Sequence, residues 1–333
     1  MSEDLSQLFV KIESIDYYLP KKIETIETLI KENPDWSIDE IKKKTGVHNR
    51  FISATNETAL DLGIKAADKL FLKNDIRSEI NALIFVTQSP DFVLPTSACI
   101  AQEKLGLSKS CMSFDVNQGC SGFIYGLAIS SSLISAGLAK KVLLICADTY
   151  SKYIDIHDRT CRPIFSDGAA ATLISKSKNS NIGPFELGTD GKGAMNLIVK
   201  NSGARFSDKK DDFQKKRLFM DGSKVFMFSM NEVPKCVENL LIKSKKKIAD
   251  IDLFVFHQAS KVVMDNIIRR LNLPADKVFC NYTDVGNTVS ASIPIALKDA
   301  ENKGIFKNNK LVMMVGFGVG YSWGATLMKW GGK

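Results

Sequence analysis

Three segments hold the residue types that nucleophilic catalysis needs: a thiol, an imidazole and a carboxamide. Cys120 lies in DVNQGCSGFIYGLAISSSLISAG, residues 115–137. There a β-type run meets a Gln118-Gly119 turn, and the cysteine opens a long apolar helix of small residues. A thiol at a helix N-terminus sits in the positive end of the macrodipole, which favours the thiolate. Gly119 and Gly122 let a substrate approach the sulfur. His257 ends the apolar run IDLFVFH (251–257), just where a helix begins. Active-site residues of α/β sheets gather at such strand ends. Asn287 lies in the Gly-Asn-Thr turn of NYTDVGNTVSASIPIAL, at the expected N-cap of a further helix. Taken singly, each has a plain structural reading: a core cysteine, a satisfied histidine, a capping asparagine.

The histidines number three, so candidates can be weighed individually; His48 and His157 read as surface-loop residues. Seven cysteines are scattered with no C-x-x-C pair, which argues against a disulfide framework and against a zinc site. Six of them read as small buried hydrophobes. The glycine-rich GFGVGYSWGA (316–325) follows a strand, but no helix follows it, so it fails the context test of a dinucleotide loop.

The elements that must position these residues are legible from apolar patterning. Short continuous apolar runs at 81–87, 141–147, 251–257 and 310–316 read as strands buried on both faces. Helical spacing fills 97–106, 120–137, 222–247, 260–272 and 288–303. This alternation indicates an α/β architecture with mixed, largely parallel sheets. The chain also echoes itself: LIFVTQS (83–89) is answered by LFVFHQA (253–259), and DGAAATLISK (167–176) by WGATLMKW (323–330). Two similar halves are expected, 1–176 carrying the cysteine and 177–333 carrying the histidine and asparagine. The lysine-rich 176–220 stretch reads as a surface connection.

Composition bounds the rest. A chain of 333 residues, 44% apolar and 25% charged, can bury a large core. The N-terminus lacks signal-peptide order, and the apolar runs are too short to cross a bilayer, so a cytoplasmic protein with no membrane partner is expected. The net charge of +8 suits anionic partners such as CoA phosphates or an acidic carrier protein. The lysine runs 42–44, 215–217 and 245–247 read as solvated faces, and with no nucleic-acid-binding motif beside them no nucleic-acid partner is expected.

In this order and spacing, with 30 residues from His257 to Asn287, the segments resemble the thiolase-like condensing enzymes, most closely β-ketoacyl-acyl-carrier-protein synthase III. KKKTGVHNRFIS (42–53), IFSDGAAA (164–171), the His-Gln-Ala turn and the terminal Trp-Gly extend the likeness along the chain. The resemblance implies a duplicated α-β-α-β-α layered fold with two mixed five-stranded sheets, a homodimer, and a tunnel reaching a Cys120-His257-Asn287 triad. It implies acyl-CoA as primer donor, malonyl-acyl carrier protein or malonyl-CoA as second substrate, and decarboxylative Claisen condensation through acyl-Cys120. No metal or organic cofactor is implied. Phe317 is expected in an apolar wall that desolvates the malonyl carboxylate. The Cys120 N–H is expected in an oxyanion hole, beside the bend carrying Val319.

The sequence departs from the family pattern at four places. Val319 stands in a run where three glycines are usual. Trp36 lies eight residues before Lys44, and Lys44 stands where arginine is expected, so the tryptophan–arginine sandwich for the CoA adenine is not reproduced. Leu94 replaces the phenylalanine that reaches across the dimer to limit primer length, implying a roomier acyl pocket. Val262, beside Lys261, replaces a carrier-docking arginine, although Arg269 and Arg270 keep basic positions further along that helix. These departures suit a specialised pathway. A second reading uses the same acyl-Cys120 to acylate an amine or hydroxyl, with His257 as general base, and a third is a non-catalytic binding protein on this fold.

Overall fold

The computed structural model describes residues 9–72, 75–179, 181–200, 202–205, 217–306 and 310–330. Lys215 and Lys216 of the middle lysine run, and part of the 176–220 connection, lie outside the described residues.

Apolar runs become strands because both their faces are covered. Ala82–Val86 is wholly buried and pairs in parallel with Met112–Val116 on one side and Lys141–Asp148 on the other. Gly168–Lys176 and Val10–Tyr18 extend this sheet in antiparallel fashion, completing five strands. A second sheet joins Leu253–Phe256, Lys310–Gly318, Ser322–Trp330 and Ile182–Thr189. It has four described strands rather than the expected five. The segment that would flank Leu253–Phe256 is reduced to one parallel bridge, Phe254 to Val278. A 3-10 turn, Ala275–Lys277, precedes that bridge and the short helix Tyr282–Val285 follows soon after.

Five layers result. Helices Ala59–Phe71 and Ser97–Lys104 cover the outer face of the first sheet. Helices Gly222–Ser244 and Lys261–Arg270 cover the outer face of the second. Between the sheets lie Gly122–Ser135 and Ser292–Asn302, in a core drawn from both. The central helix needs small residues for this closeness. A β-carbon at Gly122 would lie 2.5 Å from Val86 Cγ1, and one at Gly126 2.6 Å from Leu144 Cδ1. No helix among the described residues is long and apolar enough to cross a membrane.

Most expected boundaries shift by a turn or less, and two of the shifts bear on chemistry. The central helix starts at Gly122 and not at Cys120, because Gly119 to Gly122 first closes a tight turn with a 2.7 Å backbone hydrogen bond. The second inner helix starts at Ser292, preceded by a 3-10 turn Val289–Ala291, so Asn287 is not its N-cap. Of the cysteines expected to be buried, Cys99 is exposed and Cys280 only half-buried.

Candidate active site

Cys120, His257 and Asn287 line one cavity of about 940 Å³, together with Phe317 and Gly318. Each arrives from a different element. Cys120 sits in the turn before helix 122–135. His257 follows strand 253–256, and its N–H donates to the Val315 carbonyl at 2.7 Å. Asn287 is clamped to the loop after Cys161: its N–H donates to the Ile164 carbonyl at 3.0 Å, and its carbonyl accepts from Ser166 N–H at 2.9 Å.

The side-chain geometry fixes which atoms face one another. Asn287 Oδ1 accepts from Val289 N–H at 2.9 Å, so its Nδ2 is the atom turned to His257, 3.3 Å from Nε2. His257 Nδ1 lies 2.7 Å from Ser292 Oγ. The Phe317 ring stands nearly perpendicular to the imidazole, at 87° and 5.6 Å between centroids. Val289 holds φ +53, in the left-handed region that a β-branched residue rarely adopts. That conformation lets its N–H turn back to Asn287, a local strain stored beside the site.

Burial sets the charge states. It pushes the Cys120 thiol up to about 12, reinforced by the nearby Asp148 carboxylate. The N–H groups of Cys120 and Val319 pull in the opposite direction without prevailing. The helix, which begins two residues later than expected, favours the thiolate, and desolvation opposes it. His257 is pushed down to about 3 by burial, so its imidazole is neutral. Asp148 carries no signal in the sequence, where ICADTYS reads as a strand end. Burial raises it to about 7, against the pull of Ser290 Oγ at 2.5 Å and Gln88 N–H at 2.8 Å. It thereby ties strand 141–148 to the loop that carries Asn287. Ser292 carries no sequence signal either, since a serine among SASIPIAL reads only as a small helix residue.

The remaining sequence candidates fall in different places. Lys44 lines the cavity and pairs with Glu40 at 3.8 Å. Val262 lines it too, whereas Lys261 is exposed beside it and bonds to Asp265 at 2.6 Å. Arg269 and Arg270 are exposed in the last turn of that helix, away from the cavity lining. Val319 also lies outside the lining; its backbone reaches Cys120. Leu94 is 80% exposed, next to exposed Phe92 and Val93, and does not line its own chain's cavity. Trp36 is buried and lies outside the cavity lining, with the Arg159 guanidinium 6.0 Å from its ring centre. Arg159 lines the cavity beside Lys44, and it is distant from Trp36 in sequence.

A thiol, a neutral imidazole and a carboxamide in one apolar cavity suit covalent acyl transfer followed by stabilisation of an oxyanion. Residues 114–191 match the 3-oxoacyl-[acyl-carrier-protein (ACP)] synthase III family and residues 241–330 its C-terminal family. The chain is 35% identical to the β-ketoacyl-[acyl-carrier-protein] synthase III of Clostridium tetani, over 96% of this chain and 98% of that one. It is 37% identical to the Campylobacter concisus synthase III, over 96% of each. The crystal structure of the 3-oxoacyl-(acyl-carrier protein) synthase from Burkholderia xenovorans LB400 superposes with a TM-score of 0.92 at 34% identity, covering 98% of this chain and 95% of that one.

The chain belongs to the 3-oxoacyl-[acyl-carrier-protein] synthase III family. It is accordingly an acyl-transferring condensing enzyme of thiolase-like fold, and its reaction is a decarboxylative Claisen condensation.

Proposed function

We propose that Cys120, His257 and Asn287 carry out this condensation, with acyl-CoA as primer donor and malonyl-acyl carrier protein or malonyl-CoA as extender. Cys120 sulfur attacks the primer thioester; the sulfur–acyl bond forms, the bond to CoA sulfur breaks, and the thiol proton leaves with CoA. The malonyl thioester then enters the same cavity. Its carboxylate departs as carbon dioxide, the electron pair of the broken bond passes into an enolate, and the α-carbon attacks the acyl carbonyl. Cys120 sulfur is released and takes up a proton.

The observation that carries this reading is the side-by-side placement of His257 Nε2 and Asn287 Nδ2, 3.3 Å apart in the cavity that contains Cys120. An enolate oxygen set between them would accept from both. Phe317, perpendicular to the imidazole, keeps the carboxylate poorly solvated and favours its loss. Lys44 and Arg159 at the same cavity supply positive charge for CoA phosphates, and the planar Arg159 guanidinium offers a stacking surface for the adenine.

The exposed apolar loop Phe92-Val93-Leu94 supports a homodimer in which Leu94 enters the partner's acyl pocket. The exposed Lys261, Arg269 and Arg270 support docking of an acidic carrier. The chain reads as two halves, 1–176 and 177–333, that each bring part of the site. Mixing the protein with a panel of acyl-CoAs, then with malonyl carrier or malonyl-CoA, tests the assignment. An acyl adduct lost in Cys120→Ser, followed by carbon dioxide release, is expected. No carbon dioxide with any primer would sink it.

A further inference from the structure

Ser292 is buried at the first turn of helix 292–302, and its Oγ lies 2.7 Å from His257 Nδ1. Among the described residues that hydroxyl has no other hydrogen-bond partner. Two arrangements are available. If Nδ1 carries the imidazole proton, it donates to Ser292, and the serine O–H is left buried with no acceptor, which is costly. If Ser292 donates to Nδ1, the hydroxyl is satisfied and the imidazole proton resides on Nε2. We propose that Ser292 is a positioning residue that holds His257 as the Nε2–H tautomer, making the histidine a hydrogen-bond donor toward the cavity.

The neighbouring amide pulls against this tautomer in the empty cavity and with it once an anion binds. Asn287 Oδ1 is engaged by Val289 N–H, so Nδ2–H faces Nε2. Two N–H groups then stand side by side, with the Ala259 carbonyl at 3.5 Å as the other acceptor within reach of Asn287 Nδ2. That is an unfavourable pairing in the empty cavity, and one that an anionic oxygen between them relieves. Preorganised donors of this kind act where charge develops in the transition state and need no rearrangement as it forms. A histidine locked with Nε2 protonated cannot take a proton there. It is thus suited to stabilising an enolate and unsuited to acting as general base for an amine or hydroxyl acceptor. The inference rests on the proposed roles of His257 and Asn287, and extends them to a residue outside the cavity lining.

Three histidines make the tautomer directly readable. In protein labelled with ¹⁵N-histidine, the ring pattern missing from His257→Gln identifies His257 in long-range proton–nitrogen spectra. At pH 7 the wild type is expected to show a bare Nδ1 and a protonated Nε2. In Ser292→Ala the Nδ1–H form should gain at least half the population, because Asn287 Nδ2–H can then donate to a bare Nε2. Carbon dioxide release from the malonyl thioester should fall about 100-fold, the scale of losing one oxyanion donor. Acylation of Cys120 should change by less than about threefold, and Ser292→Thr should restore both the spectrum and the rate. A protonated Nδ1 in the wild type, or an unchanged Nε2–H pattern in Ser292→Ala, overturns the proposal. The wild-type spectrum decides even if the alanine variant fails to fold. If the tautomer behaves as expected but the wild type releases no carbon dioxide, the condensation assignment fails and the role of Ser292 stands.

Discussion

Gly318 leaves Cys120 no spare room: a β-carbon built at Gly318 would lie 2.8 Å from Cys120 Cβ and 2.9 Å from its Sγ. Side chains do not tolerate such contacts, and neither partner is the free end of a flexible chain. Gly318→Ala is therefore expected to turn the thiol off its line of attack. Labelling of Cys120 by acyl-CoA, followed by intact mass, should slow by more than about tenfold, since a 1 Å misplacement alone can cost 10²-fold. The melting temperature should drop only modestly, because the clash is confined to one contact. Unchanged labelling would mean that the sulfur is reached from a direction Gly318 does not border.

Charge states set a second expectation. With the Cys120 thiol raised to about 12, its alkylation by iodoacetamide should keep rising with pH beyond 9, with no plateau at the ordinary cysteine value. For His257 the folded value of about 3 lies below the unfolded value of 6.5. Between those limits the unfolded chain binds a proton that the folded one does not, so stability is lost as pH falls from 6.5 toward 3. The slope is roughly 1.4 kcal/mol per pH unit. Asp148, raised to about 7, works the other way below neutrality, but it is common to the wild type and His257→Gln. Denaturant unfolding of both proteins at pH 7, 6 and 5 should show the wild type losing its advantage. Parallel pH profiles would contradict a buried neutral imidazole.

What was readable in the sequence was largely what periodicity and order encode. Apolar runs without alternation gave the buried strands, and small residues after Cys120 gave the helix between the sheets. The second sheet's fifth strand could not be seen to collapse to one bridge, because a short stretch before Asn281 looks like any strand end. Desolvation of Cys120 was also invisible, since the buried cluster that contains it draws on residues distant in sequence, such as Tyr150, Phe165 and Leu218. Ser292, Asp148 and Arg159 act through tertiary neighbours: His257, Ser290 and Trp36. No local pattern marks a residue whose partner is far along the chain.

Arg159 provides the next test. It combines a place in the cavity lining with a cation–π approach of 6.0 Å to Trp36 and an ion pair to Asp35. Arg159→Ala should raise KM for acyl-CoA about tenfold, in line with losing one charged, stacked contact. The effect should shrink at high salt. Acylation by the same acyl group on pantetheine, which lacks the nucleotide, should change little. An equal loss with both donors would place Arg159 in support of the loop rather than in contact with CoA.

Asn287→Asp separates the two half-reactions most cleanly. The carboxylate keeps the shape and can still accept from Val289 N–H, so the loop should hold. What changes is the atom facing His257 Nε2: an N–H donor becomes a carboxylate oxygen. An enolate forming there meets negative charge instead of a hydrogen bond, which removes one donor and adds repulsion. Carbon dioxide release should fall by about 10²–10³-fold. The new anion also favours the charged imidazole and raises His257 toward neutrality, so any residual activity should acquire a pH dependence that the wild type lacks. Capture of the primer by Cys120 makes no use of the Asn287 amide, and the acyl adduct should accumulate to full occupancy. Intact mass and carbon dioxide release, followed in one reaction, read both effects. Loss of the adduct along with the gas would instead assign Asn287 a part in the first step.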